Sequence, residues 1–393
     1  MSLNLIADRI VKNKIYPALA LHQAQPYTQA WREFDKHWPN TIPLRLQEYC
    51  NQHQVPLTDY TIEEQLPPNT FYPIGLGFFN FGIDYIDLLQ PPVLDRLLLG
   101  DFKLLFYYHE GDNPAKIKQR LDSLCAEHGL DSDCYVFISA NTAARGLSNF
   151  VYFTDFELWY YQRNIALPPC VIHTEPRQRD FTVLNRLHKS WRALAMADLQ
   201  SLDLLDNSYW SYCESGVFND AECPIEIDAI AGLRTATEEF LRSAPYISDE
   251  LGHDQRNDHS TTLSKYHIDS YCNIVMETHF DADQSGGTFL TEKTFKPIKH
   301  GQMFFIAGPA GSLQVLRDLG YRVFDSVLDN SYDLETDHTQ RWMALTRSIY
   351  FAQAELPELF EQARADIKHN QQLFQATKTD RLNNLIKEIN DYY

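Results

Sequence analysis

Short, almost unbroken apolar runs alternate with amphipathic stretches along most of this chain, and that alternation predicts parallel α/β structure. The segment DFKLLFYYHEGDNP (101–114) reads as a buried strand leaving into a polar loop. Residues 115–129 (AKIKQRLDSLCAEHG) read as a helix stopped by Gly129, and CYVFISAN (134–141) as the next strand, with Asn141 at its exit. FELWYYQRN (156–164) reads as a helix or strand packed nearby. In the second half, FTVLN (181–185) predicts a strand passing at once into a helix whose apolar positions include Leu194, Met196, Leu199 and Leu202. A strand at 271–276, a short helix opened by Thr291-Glu292-Lys293, strand 302–308, helix 312–320 and strand YRVF (321–324) then complete a second βαβαβ pattern.

The flanking regions read differently. The first 60 residues look mostly helical, with Trp31, Phe34 and Trp38 on one face and Pro17, Pro26, Pro39 and Pro43 cutting the stretch into short pieces. Residues 70–89 are too rich in Gly and aromatics for one assignment. Pro168, Pro169 and Pro176 mark a linker at about 165–179, and the acidic stretch to 260 reads as surface loops and short helices. From about 337 the tail is helical, with Arg341, Leu345, Ile349 and Ala352 on one stripe. The expected organisation is an amino-terminal α/β domain (1–167), a second α/β domain (168–340) and a helical tail (341–393) packing across both.

Composition narrows the class. The chain has 393 residues, more than one hydrophobic core usually supports, and 44% are apolar. Twenty-three Phe and six Trp argue against disorder. No apolar run approaches the length of a membrane span, and the start MSLNLIADRIVKNK lacks the apolar stretch of a secretion signal. Seven scattered cysteines without CxxC spacing fit free thiols and no structural zinc, so a cytoplasmic location is expected.

A net charge of −19 disfavours a nucleic-acid partner, although a small basic groove would still accommodate one. It also makes local cation clusters informative. Residues 177–192 hold five Lys and Arg against Asp180 alone, and 293–299 hold three lysines without an acid, whereas 203–258 hold thirteen acids against three arginines.

Ligands of open α/β sheets bind beyond the carboxyl ends of the strands, and three strand exits carry suitable chemistry. After the first strand come His109, Glu110 and Asp112, any of which can serve as a general base, with Glu110 favoured. The alternative is a plain turn in which Asp112 caps the helix at Pro114. After FTVLN, Asn185 leads into Arg186, Lys189 and Arg192, which can neutralise a diphosphate; the alternative is a solvated basic helix face. After 271–276 lie Glu277 and then Thr291, Glu292 and Lys293. A helix start offers free N–H groups, Lys293 adds a mobile charge and Glu292 can accept from paired sugar hydroxyls; the alternative is an ordinary capped helix start.

Asp281-Ala-Asp283 has the form of a metal-holding DxD, but its Gly-rich surroundings fit a solvated loop better. Gly308-Pro309-Ala310-Gly311-Ser312 is a strand-to-helix turn able to approach a phosphate, a weak signal alone. HExxH, GxGxxG and GxxxxGK[ST] motifs are all missing, so neither a metal nor a bound cofactor is expected.

With SYCNIVMETHF (270–280) upstream, Thr291-Glu292-Lys293 resembles the donor-binding stretch of fucosyltransferase-like glycosyltransferases, over about residues 265–325. Glu277 falls where that family carries a Glu after its strand. The run TEKTFKPI with Gly308–Leu313 is closer still to phage-type relatives, which also share an Asn-Arg before a basic helix start. Pro297 departs from the fucosyltransferase pattern and predicts a bent or shortened helix. The resemblance implies two Rossmann-like domains of the GT-B kind, a nucleotide-sugar donor, inversion at the sugar carbon and no metal. The acceptor is left open, and the rival readings are a non-catalytic nucleotide- or sugar-binding protein and an accessory factor acting through a protein partner.

Overall fold

Strands buried on both faces carry apolar residues at consecutive positions, as in KLLFYY (β4, Lys103–Tyr108) and YVFIS (β5, Tyr135–Ser139). The computed structural model describes residues 2–6, 44–76, 79–164, 176–247, 264–282, 285–376 and 378–393. They divide into one unit of Met1–Leu158, Ser285–Gly287 and Thr377–Tyr393, and a second of Trp159–Gln284 and Thr288–Ala376. Two parallel-sheet α/β units with helices at the carboxyl terminus are the architecture the sequence predicts.

The first unit's sheet also contains β1 (Leu3–Ile6), β2 (Leu57–Tyr60), β3 (Thr70–Leu76) and β6 (Phe150–Tyr152), in the order β2-β1-β3-β4-β5-β6. Every pairing is parallel. The helices include α1 (Leu44–Gln52), α2 (Pro91–Leu98) and α3 (Pro114–Glu127), and α4 (Asp155–Asn164) carries the boundary between the units. Stacked rings fill the core, with Phe137 at 6.0 Å from Phe106 and 4.9 Å from Phe150. The carboxyl-terminal end closes this unit: the buried Glu157 pairs with Lys378 at 3.1 Å and Arg381 at 2.5 Å, and Tyr392 donates to the Phe150 carbonyl.

The second unit's sheet is β7 (Arg179–Asn185), β8 (Tyr209–Tyr212), β9 (Ser270–Met276) and β10 (Met303–Ala307), ordered β10-β9-β7-β8 and again wholly parallel. Its helices are α5 (Ser190–Ser201), α6 (Leu233–Ser243), α7 (Ser264–Ile268), α8 (Glu292–His300), α9 (Ser312–Asp318), α10 (His338–Gln353) and α11 (Leu356–Gln375). A further helix, α12 (Thr379–Asn390), belongs to the first unit.

Several expectations are corrected. Leu3–Ile6 is a strand rather than part of a helical start, because it pairs with both β2 and β3. Residues 7–43, with Trp31, Phe34 and Trp38, lie outside the described residues, as do 165–175 of the linker and Asp283. The segment 70–89 opens as a central strand, and 156–164 is helical. YRVF is not a strand. Phe324 has φ of 65°, and the Asn370 side chain satisfies Arg322, accepting from its N–H at 2.8 Å and donating to its carbonyl at 2.7 Å. One amide there takes the place of a neighbouring strand.

Candidate active site

From β7 the chain passes to β8 on one side, then crosses to β9 on the other. The loops leaving β7 and β9 therefore diverge, which opens a crevice at the carboxyl ends of these strands. Two of the three sequence-predicted exits meet at this point in the second unit.

Glu277, one residue beyond β9, is fully buried and organises the crevice. Its carboxylate accepts from the Thr291 N–H at 3.0 Å, the Thr291 hydroxyl at 2.7 Å, the Thr294 hydroxyl at 2.6 Å and the Thr278 N–H at 3.1 Å. The start of α8 is thus already occupied by a carboxylate from within the protein. Thr291 is the N-cap, as in the sequence's alternative reading, and α8 ends at His300, three residues after Pro297, with Gly301, whose φ of 69° favours glycine, as its C-cap. Glu292 is almost wholly buried, whereas Lys293 is 30% exposed and reaches back to the Thr291 hydroxyl at 3.2 Å and to Glu292 at 3.3 Å.

The helix after β7 begins later than expected, at Ser190, so Arg186 and Lys189 belong to a loop. Lys189 occupies the N-cap of α5 without a side-chain cap, and the first turn of that helix, Ser190 to Ala193, is buried. Arg192 is buried and donates to the carbonyls of Met276, at 3.2 Å, and Glu277, at 2.6 Å. It braces the two diverging loops from inside, with its pKa pushed down to about 10 by burial. The Lys189 ammonium donates to the Thr278 carbonyl, and its pKa is pushed down to about 8 by burial and then by Arg192 and Lys293. The carboxylates of Asp281 and Glu277 act on Lys189 in the opposite direction, so cations and carboxylates share this crevice.

Two residues at this crevice escaped the sequence reading as site residues. His188 Nε2 donates to the Val217 carbonyl at 3.1 Å, and its Nδ1 lies 2.7 Å from the Tyr212 hydroxyl. A Cβ on Gly216 would come within 2.3 Å of this ring, so that glycine is needed for the loops to close on each other. Asn185 is buried at the end of β7 with neither amide atom hydrogen-bonded. The available signal was position: both residues stand in the strand exit NRLHK that carries the cations.

The remaining exit lies in the first unit. His109 Nε2 is 3.6 Å from a carboxylate oxygen of Glu110, whose side chain is 42% exposed. Asp112 accepts from the Tyr108 hydroxyl, and the helix cap is Asn113 rather than Asp112, with Asn113 Oδ1 accepting from Ala115 N at 3.0 Å. Asn141 donates to the Gly111 carbonyl at 2.9 Å and the Ser285 carbonyl at 2.7 Å, so residues 285–287 rest on this exit. A Cβ on Gly287 would meet Asn141 Oδ1 at 2.6 Å, an approach open only to glycine.

Among the described residues no group of three His, Cys, Asp or Glu side chains is placed to hold a metal. Nor is any helix there long and apolar enough to cross a membrane.

No family model and no curated protein matches the chain. Solved structures that resemble it include the DNA-modifying enzyme β-glucosyltransferase studied with and without uridine diphosphoglucose, at 9% identity and TM-score 0.32, covering 98% of this chain and 100% of that one. T4 phage BGT in complex with UDP and Mn²⁺ matches at 10% identity and TM-score 0.31, with the same coverage. The GtfA/B complex matches at 15% identity and TM-score 0.35, covering 76% of this chain and 56% of that one. Likenesses this distant carry no argument, and the fold and chemistry rest on the sheets and side chains themselves.

Proposed function

We propose that this protein is a glycosyltransferase whose second unit binds a nucleotide-sugar and whose reaction moves the sugar, with inversion and without a metal, to an acceptor hydroxyl. One observation carries the reading: Lys189 lies near enough to Lys293 and Arg192 to feel their charge, and Arg186 acts on Arg192, at the topological switch point of an otherwise strongly acidic protein. A diphosphate completes that array. Lys189 and Arg186 neutralise one side of it and Lys293 the other. Cations held in place beforehand also stabilise the charge that develops on the departing phosphate, the task a metal would otherwise perform. Glu292, next to Lys293, is assigned to the nucleotide's ribose hydroxyls.

In the transfer, the acceptor oxygen bonds to the anomeric carbon as the bond from that carbon to the phosphate oxygen breaks. The acceptor proton passes to a base, which we assign to Glu110, with His109 adjacent to hold the carboxylate. Glu110→Gln should lower turnover by about 10²- to 10⁴-fold, the range for loss of a general base, while donor affinity stays within a few-fold. Steady-state kinetics on that variant checks this, and unchanged turnover would return Glu110 to a turn. The test of the whole reading is release of nucleoside diphosphate from a panel of nucleotide-sugars, with and without candidate acceptors. Binding without release would leave a nucleotide-binding protein.

Lys189 adds a pH dependence. Its pKa of about 8 in the free protein rises when an anion binds, so binding draws in a proton and affinity falls as pH climbs past about 8. Calorimetry in buffers of different ionisation enthalpy should show proton uptake at pH 8. The Lys189→Met variant should show none.

A further inference from the structure

A second set of ring faces lies along β8, the edge strand of the second unit's sheet. Ser208, Tyr209, Trp210, Tyr246, Ile247 and Tyr266 line a cavity of about 340 Å³. Consecutive strand residues face opposite sides of a sheet, so a cavity lined by both Tyr209 and Trp210 wraps over the strand edge.

The rings are held in place. Tyr209 stacks on Tyr266 at 4.4 Å and 17°, and Trp210 lies 4.9 Å from Tyr246. The Tyr266 carbonyl accepts from the hydroxyls of Thr182, at 2.9 Å, and Ser270, at 2.6 Å. The backbones of Tyr212 and Tyr246 exchange two hydrogen bonds of 2.8 Å. The polar tips differ from the rings, because among the described residues neither the Trp210 indole N–H nor the Tyr246 hydroxyl has a hydrogen-bond partner.

We infer that this edge is a binding site for a neutral saccharide. The apolar C–H faces of a sugar ring suit fixed aromatic faces, and its hydroxyls suit the open N–H and O–H tips. The charge around the cavity selects against the other flat ligand, a nucleotide. The nearby carboxylates are Asp269, 3.4 Å from the Tyr209 hydroxyl, and Asp180, held by Asn207 at 2.9 Å. The cation beside them, Arg179, is bonded to Asn207 at 2.9 Å and lies over the Tyr209 ring. Carboxylates accept from sugar hydroxyls and repel phosphate. The volume lies in the range of small-ligand sites, about 300–1,000 Å³. Such a site would hold a carbohydrate at a place separate from the carboxyl-end crevice, and it stands whether or not that crevice binds a nucleotide-sugar.

The test titrates the full-length protein with glucose, galactose, mannose, N-acetylglucosamine, xylose and fucose and their neutral di- to tetrasaccharides, read by calorimetry and tryptophan fluorescence. At least one should bind, and Trp210→Ala and Tyr246→Ala should each weaken it by about tenfold, the scale of one lost aromatic contact. Trp210→Phe, which keeps a ring face, should retain most of the affinity. Unchanged thermal melting shows that each variant is folded, and Lys293→Ala should leave saccharide binding unaltered. Failure of every saccharide to bind below about 10 mM, equal affinity in the Trp210→Ala protein, or capture of uridine monophosphate in place of the sugars would overturn the assignment.

Discussion

Glu277→Ala is expected to remove about 3–5 kcal/mol of stability, the scale for deleting one member of a buried charged network. Four donors would lose their acceptor together: two N–H groups and two hydroxyls, at 2.6–3.1 Å. Each buried polar group left unmatched costs about 1–3 kcal/mol, and water entering the vacated space returns part of that. Arg192, which the Glu277 carboxylate supports electrostatically, would become a less compensated buried charge. Glu277→Gln keeps one carbonyl acceptor and should cost less. Urea unfolding measures both, and a loss below about 1 kcal/mol in the Ala variant would mean that Glu277 does not organise the start of α8.

The second large effect is acid destabilisation centred on a buried histidine pair. His267 and His300 stack at 5.1 Å and 14°, and His267 Nδ1 lies 2.6 Å from the Gln302 side-chain oxygen. Asn273 faces the same nitrogen, and Lys296, Lys299 and Arg177 add positive charge around the pair. Burial, then these cations, pushes His267 down to about 4 from an ordinary 6.5, and burial lowers His300 as well. Between those values the unfolded chain binds protons that the folded protein refuses. Stability is therefore complete above about pH 6.5 and declines as pH falls toward 4, by about 3 kcal/mol from His267 alone. His300 acts in the same direction. Urea midpoints from pH 8 to 5 should fall more steeply for the parent than for His267→Gln combined with His300→Leu. Parallel slopes would remove the pair from the account.

What was legible in the sequence depended on range. FTVLN, KLLFYY and YVFIS announced themselves because strands buried on both faces need apolar residues throughout. LNLI did not, since four residues become a strand only through partners more than fifty positions away. YWSY (β8) was hidden inside an acidic stretch, and YRVF looked like a strand until one side-chain amide replaced its neighbour. Within the crevice, the cations and the Thr291 cap could be read locally. The closure of Glu277 onto Thr291, fourteen residues on, was not legible, because it depends on the fold bringing the end of β9 to the start of α8. Arg192 looked like its neighbours Arg186 and Lys189, and only the fold turned it inward onto the carbonyls of Met276 and Glu277.

The most direct measurement is calorimetry of UDP, GDP, ADP and CDP with the parent and with Lys293→Ala. At least one nucleotide should bind the parent. Loss of the partly exposed Lys293 ammonium should weaken it about 10- to 150-fold, the affinity equivalent of one charge-assisted hydrogen bond. The loss should be larger at low salt, where screening is least. Equal affinity in the two proteins for every nucleotide would make the start of α8 an ordinary capped helix and contradict the placement of the donor.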